Sequence, residues 1–501
     1  MKYLTLLLFI FLGACSDGGG VDSGAGLINT QTYSGSAAGE AVSLEYKLSF
    51  NKEVIDSKLT SASSSLSGVV TTGAHVYKIT YVTNDGNQGS ETFNASGLLM
   101  IPYSLSDSSD NSAPWMVVSH GTIVDNASAP TNNLSEGLLE AGLGFITLVP
   151  DYIGFGESYS SDTATRIHPY IISDSYGSDS VNMMKAVKGL LASQGITLGR
   201  LYLKGYSEGG YATLALQKEL ETNHSSEFTI TASAPTAGPY STMLMSETLT
   251  STVGRLGKIS PTLFGYLATS YYYNEANIQN QYSEFSDVFL QTNSYNPSTL
   301  FNGSNSFTST DSTYASLGIT TMATLMKSDV LDAMQTKASG LTAELTSLLT
   351  NLGAAAVAAG LGDTTTYSTK AAAAVQDSTD ITTILTNIGT DELLSSNLYQ
   401  NDLVFTSMGS GYRPAVTTIF YHCSDDETIP MAIGEATYGF FSTTANFSGA
   451  NSNVSFVNSG TGGHTGCPYR FTPAICFAQM EGAGGSLSDL NTATSNSNYC
   501  N

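Results

Sequence analysis

Short apolar runs alternate with amphipathic stretches along the first half of the chain. Val76-Tyr77-Lys78-Ile79-Thr80-Tyr81-Val82 is β-branched and aromatic and reads as a strand, closed by the turn Asn84-Asp85-Gly86-Asn87. Residues 96–101 predict a second strand, stopped by Pro102. Trp115-Met116-Val117-Val118, residues 145–149, Leu201-Tyr202-Leu203-Lys204 and residues 228–232 predict four more. Met183, Met184, Val187, Leu190 and Leu191 recur at helical spacing before Gly195, and residues 212–220 predict a second helix. Strands alternating with helices imply βαβ units and a mainly parallel sheet, an α/β fold. Residues 236–412 break this rhythm with Tyr271-Tyr272-Tyr273, Ser/Thr/Asn stretches and mostly helical periods. Strand patterns return at residues 416–421 and 454–457. The expected plan is therefore a core of 41–235 and 413–501 that carries a mostly helical insertion, 236–412. The alanine-rich segments 354–359 and 371–374 fit a buried helix pair or a mobile amphipathic lid, and the buried pair is the simpler expectation. No internal repeat is visible.

The N-terminus has a basic start, a nine-residue apolar stretch and then small residues. That is the pattern of a secretory signal, too short to span a bilayer as a permanent helix. Leu12-Gly13-Ala14-Cys15 resembles a bacterial lipobox, which implies lipidation of Cys15 and removal of the residues before it. Ser16 after that cysteine, by the same resemblance, favours an outer-membrane lipoprotein of the cell envelope. Residues 16–40, rich in Gly, Ser and Ala, read as a flexible tether.

Charge narrows the function. The 501 residues carry 18 Lys+Arg against 42 Asp+Glu, a net charge of −24, which argues against nucleic-acid partners and against electrostatic docking on anionic lipid. Apart from Cys15 there are four cysteines, Cys423, Cys467, Cys476 and Cys500. Four cysteines allow two disulfides in three pairings, and export would permit them. No Cys-x-x-Cys pair suggests a structural zinc site, and no metal or cofactor is expected.

Gly205-Tyr206-Ser207-Glu208-Gly209 lies between a predicted strand and a predicted helix. A serine on such a turn is held strained with its Oγ exposed, and the glycines admit neighbouring backbone. With 49 glycines in the chain, one chance match is expected, so the position of the motif carries the argument. Serine needs a base, usually a histidine oriented by a carboxylate. Six histidines are present, but only His422 and His464 follow Ser207 in the order serine, acid, histidine. His464 sits in a glycine-rich loop after a strand and is the expected base. The oxyanion donors are expected to be the backbone N–H of Glu208 and a group in Ser119-His120-Gly121-Thr122, with Thr122 first and Gly121 second. His120 is expected to be structural in that turn, and Asp151 and Gly154-Phe155-Gly156 to shape the site.

With these pieces placed, the chain resembles the α/β-hydrolase superfamily, and within it the secretory lipase family of fungi and bacteria. The resemblance rests on Ser119-His120-Gly121-Thr122, Asp151-Tyr152-Ile153-Gly154-Phe155-Gly156, His168-Pro169-Tyr170, residues 205–210, residues 233–240 and the two late loops. It covers about 76–240 and 413–480 and says little about 241–412. Such proteins show a strand followed by His-Gly-x-x-Asp-x-x-(Val/Ile)-Pro. Here His422-Cys423-Ser424-Asp425-Asp426-Glu427-Thr428-Ile429-Pro430 puts Asp426 at the acid position, with Cys423 in place of the glycine. Asp425 is the rival, and the acid not used would be a solvated loop carboxylate; His422 is then structural. If the late loops meet, Cys423 and Cys467 lie together near the site, which favours that pair.

The resemblance implies a cap at 236–412 and a Ser207–His464–Asp426 triad that cleaves acyl esters through an acyl-enzyme, without a cofactor. A serine peptidase of the same fold and an acyltransferase are the enzymatic rivals. A non-catalytic surface binding protein is the rival of another class, and it would be expected to lose one of the three residues.

Overall fold

The computed structural model describes residues 21–22, 27–105, 111–159, 167–251, 254, 261–275, 278, 285–290, 296–360, 364–391, 393–444, 449–467, 470–486 and 500. The signal stretch and Cys15 lie outside the described residues.

The strands are β1 (Val21–Asp22), β2 (Gln31–Thr32), β3 (Ala41–Phe50), β4 (Ala74–Asn84), β5 (Thr92–Pro102), β6 (Ser112–Ser119), β7 (Ile146–Pro150), β8 (Thr197–Tyr206), β9 (Ile230–Thr236), β10 (Thr417–His422) and β11 (Val454–Asn458). They form one sheet in the order β1-β3-β4-β5-β7-β6-β8-β9-β10-β11, with β2 also on β3. The sheet is mixed rather than mainly parallel. β3, β4, β5 and β7 pair antiparallel, and β7-β6-β8-β9-β10-β11 pair parallel. Connection length accounts for part of this, although β3 and β4 pair antiparallel across a long connection that includes the helix Lys52–Ala62. The short loop at 85–91 can only return β5 antiparallel to β4, whereas the later strands are joined by crossovers with helices. Part of the stretch expected as a tether belongs to this edge: β2 pairs with β3, and buried Ile28 donates its N–H to the Tyr77 hydroxyl at 2.9 Å.

Helices α1 (Ser173–Ser193) and α2 (Glu208–Asn223) follow β7 and β8. α1 buries the predicted stripe, with Met183, Met184, Val187, Leu190 and Leu191 among core side chains of the sheet.

The insertion is helical. It includes α3 (Thr242–Thr250), α4 (Pro261–Asn274), the long pair α5 (Ser328–Gly360) and α6 (Thr364–Asp391), and α7 (Leu393–Gln400). α5 and α6 pack on each other, with Ser347 and Asn351 donating to the Asp377 carboxylate at 3.1 and 2.8 Å. Of the alanines at 371–374, Ala374 is buried, Ala373 half-buried and Ala372 exposed, while most side chains of 354–359 lie outside the described residues. The two ends of the insertion are stitched together. The buried Asp402 carboxylate accepts from the Ser241 hydroxyl at 2.6 Å and from the N–H groups of Met243, Val404 and Phe405. No described helix is long and apolar enough to cross a membrane.

Candidate active site

The parallel register aligns Ser119 with Gly205, Tyr206 with Thr236, and His422 with Asn458. The loops after β6, β8, β9, β10 and β11 therefore leave one edge of the sheet, the carboxyl end where α/β folds build their sites.

Ser207 stands between β8 and α2 with φ 58° and ψ −127°, a strained conformation for a residue with a Cβ. Its N–H is held by the Thr236 carbonyl at 3.0 Å. A Cβ on Gly205 or Gly209 would collide with the Ser119 carbonyl, so the turn can close only with glycine at both places. Glu208 opens α2, and the Ser207 carbonyl takes the N–H groups of Gly210 and Tyr211 at 2.9 and 3.2 Å.

His464 and Asp426 come to this serine from the two late loops. His464 Nε2 is 2.8 Å from Ser207 Oγ, and His464 Nδ1 is 2.8 Å from Asp426 Oδ2 and 3.0 Å from Oδ1. A carboxylate can only accept, so Nδ1 carries the proton and Nε2 presents a lone pair to the serine. Asp426 Oδ1 also accepts from the N–H groups of Thr428 and Ile429 at 2.9 and 2.8 Å. Burial on its own would raise the Asp426 carboxyl. Hydrogen bonds from His422 and His464, attraction to the His464 ring once it is protonated, and the Ile429 N–H outweigh burial and hold it well below the usual carboxylate range. His422 is fully buried, with Nε2 2.8 Å from the Ile429 carbonyl and 3.4 Å from Asp426 Oδ2, a bracing position behind the acid.

The neighbours of Asp426 do more than the sequence suggested. Asp425 is not merely a solvated carboxylate, because its Oδ1 accepts from the N–H groups of Gly462 and Gly463 at 2.9 and 3.0 Å. Those bonds lower its carboxyl. Glu427 Oε2 accepts from the backbone N–H of His464 at 3.0 Å. Three consecutive acids thus hold the ring and the backbone of one histidine loop. The Cys423–Cys467 disulfide closes the same pair of loops, each cysteine three residues from Asp426 or His464, and Cys476 pairs with Cys500.

On the other side of Ser207, the Thr122 hydroxyl is 3.0 Å from that of Tyr170. His120 is buried and stacks on Tyr152, ring centroids 4.0 Å apart, a place that suits structure rather than chemistry. Asp151 is fully buried on Ser96 and Thr131, and burial raises its carboxyl. An apolar cavity of about 70 Å³ opens between the insertion and the core. Met245, Leu249, Phe264 and Leu398 line one wall, and Tyr170, Thr428 and Ile429 line the other. Sequence reasoning did not find these cap residues, whose helical periods carry no chemical signature. Among the described residues no cluster of His, Cys, Asp and Glu is arranged to hold a metal.

No protein-family model matches the sequence, and no curated protein matches it. Solved structures do match. The rice cell wall degrading esterase LipA from Xanthomonas oryzae is 20% identical, with a TM-score of 0.62 over 89% of this chain and 98% of its own. A hydrolase candidate from Legionella pneumophila is 17% identical, with a TM-score of 0.64 over 88% and 98%. Candida antarctica lipase A is 12% identical, with a TM-score of 0.51 over 93% and 84%. The chain therefore has an α/β fold of the α/β-hydrolase kind, shared with esterase- and lipase-type structures.

Proposed function

We propose that the protein is a serine carboxylic-ester hydrolase of the secretory-lipase type, exported and anchored by lipid at Cys15. The observation that carries the catalytic reading is the line Ser207 Oγ, His464 Nε2, His464 Nδ1 and Asp426, with both links at 2.8 Å and the serine strained at the carboxyl edge of the sheet. In this reading Ser207 Oγ attacks the ester carbonyl carbon while its proton passes to His464 Nε2. The carbonyl oxygen becomes an oxyanion facing the Glu208 N–H and the Thr122 side of the site. Collapse of the tetrahedral intermediate breaks the bond to the alcohol oxygen, which takes the proton from His464. Water, deprotonated by the same ring, then attacks the acyl-enzyme; the acid leaves and Ser207 regains its proton. Asp426 fixes the ring and stabilises the imidazolium in both halves.

The cavity beside the Asp426 turn would seat an apolar acyl chain. Each methylene it buries contributes about 0.8 kcal/mol, roughly fourfold in kcat/KM, until the space is full.

The test is turnover of p-nitrophenyl esters from acetate to palmitate, beside aminoacyl anilides, by the form lacking residues 1–15. Ester turnover that rises with chain length and vanishes in Ser207→Ala is the expected result. Anilide cleavage without ester preference would replace the reading with a peptidase, and activity kept in Ser207→Ala would end it. The anchor is tested separately, by labelling the full chain with radioactive palmitate in a bacterial host; label retained in Cys15→Ser would exclude it.

A further inference from the structure

Glu208 presents a second feature besides its backbone N–H. Its side chain is 1% exposed and meets His168, itself buried. Glu208 Oε1 lies 3.0 Å from His168 Nε2 and 2.9 Å from the Tyr176 hydroxyl, and its other oxygen has no hydrogen-bond partner among the described residues. His168 Nδ1 is 2.7 Å from the Ile153 carbonyl, which can only accept, so Nδ1 carries a proton. The Tyr176 hydroxyl accepts the Ile171 N–H at 3.1 Å and donates to Glu208. His168 Nε2 also lies 3.2 Å from the Tyr176 hydroxyl, whose own proton goes to Glu208, so one further proton must sit between His168 Nε2 and Glu208 Oε1 to keep two lone pairs from facing each other. With it the pair has no net charge; without it a carboxylate would be buried one residue from the nucleophile.

The same histidine reaches the opposite side of the site by two routes. One is covalent. His168 leads to Tyr170, whose hydroxyl meets that of Thr122, and to Ile171, held at φ 58°. The other is a stack of rings. Tyr152, at φ 68°, lies between His168, at 5.7 Å, and His120, at 4.0 Å, and its hydroxyl donates to the His120 carbonyl at 3.0 Å. Gly154 passes so close to His168 that any Cβ there would meet the backbone of His168. Both routes end in the loop that carries Gly121 and Thr122.

We propose that His168 is a positioning residue that neutralises Glu208 and ties it to the 119–122 loop, fixing the two sides of the oxyanion site relative to each other. This rests on the ester-hydrolase reading. Charge matters as much as placement. A lone buried carboxylate beside the developing oxyanion opposes it, and donors misplaced by about 1 Å lose on the order of 100-fold in rate.

The experiment compares wild type, Ser207→Ala, His168→Gln, His168→Gln with Glu208→Gln, and Tyr176→Phe. It measures kcat and KM on the best p-nitrophenyl ester, and the affinity for a trifluoromethyl ketone of the same acyl chain, which forms an oxyanion on the serine. His168→Gln is expected to lower kcat by about 10- to 100-fold and ketone affinity in parallel, with KM within about threefold. Adding Glu208→Gln should recover part of that loss, because no lone carboxylate remains. Should His168→Gln fail to fold, Tyr176→Phe, which buries no charge, is expected to lower kcat by about three- to tenfold at unchanged KM. The proposal is overturned if His168→Gln stays within threefold of wild type, if KM takes the whole loss, if the double variant is no better than the single, or if Tyr176→Phe leaves kcat unchanged. Inert wild type, or an active Ser207→Ala, would sink the ester-hydrolase reading and this one with it. Active wild type with dead Ser207→Ala and a fully active His168→Gln would sink this one alone.

Discussion

Removing the Cys423–Cys467 bridge should separate stability from catalysis. The bridge closes a loop with a sequence separation of 44, and Cys476–Cys500 closes one of 24. In the chain-entropy account, cross-links over such loops restrict the unfolded chain by roughly 4 and about 3.5 kcal/mol respectively at 25 °C. The difference, 1.5RT times the logarithm of 44/24, is only about 0.5 kcal/mol. Cys423→Ala/Cys467→Ala and Cys476→Ala/Cys500→Ala should thus be destabilised by similar amounts. Their effects on turnover should differ. The first bridge spans the two loops that supply Asp426 and His464, whereas the second ties Cys500 to the helix Thr472–Gly482. Loss of the first is expected to lower kcat by about tenfold or more, since the histidine must stay within hydrogen-bond reach of both partners. Loss of the second should leave kcat within about twofold.

The assay pairs guanidinium unfolding curves with ester kinetics, taken at a temperature where both variants are folded. Equal destabilisation with a selective loss of kcat is the expected pattern. A stable first variant would refute the loop-closure magnitude. A destabilised first variant with unaltered kcat would refute the positioning role and leave the carboxylate bonds from Asp425 and Glu427 as sufficient support for the loop.

Asp426→Asn should lower kcat by about 10³- to 10⁴-fold with little change in KM, because an amide N–H facing His464 Nδ1 favours the tautomer that cannot accept the serine proton; a loss under tenfold would argue for another acid. Asp425→Asn and Glu427→Gln, which weaken bonds to Gly462, Gly463 and His464, should each cost about three- to tenfold in kcat with the fold intact by circular dichroism. Stability should fall as pH rises from about 4 to 7. Burial raises Asp179 and Glu275 to about 7 and Asp402 to about 6, so the folded state holds protons that the unfolded chain releases near pH 4. Asp426, shifted the other way, loses its stabilising effect only in stronger acid, outside that window. Thermal melts from pH 4.5 to 8 check this, and Asp402→Asn should flatten the slope; a melting temperature that climbs across the window would contradict it.

What could be read from the chain divides by the range of the interaction. Strands β4 to β11 were legible because each buries a run of apolar residues between recognisable turns. β3 was not assigned, although Val42, Leu44, Tyr46, Leu48 and Phe50 alternate with Ser43, Glu45, Lys47 and Ser49 at the two-residue period of a strand with one buried face. The serine was legible from glycines whose collisions with the Ser119 carbonyl are now explicit, and the acid from its distance to Pro430. The supports of these residues were not legible. Asp425 and Glu427 act on backbone N–H groups 37 or 38 residues away, and Glu208 meets a histidine 40 residues before it. Such bonds have no spacing to read, since they exist only after the sheet brings separate loops to one edge. The reacting groups need fixed chemical types at fixed turns and so leave a pattern. The groups that hold them need only reach, which many sequences can supply. That is why tests of Asp425, Glu427 and His168 probe the fold's contribution to rate more directly than another substitution of the serine would.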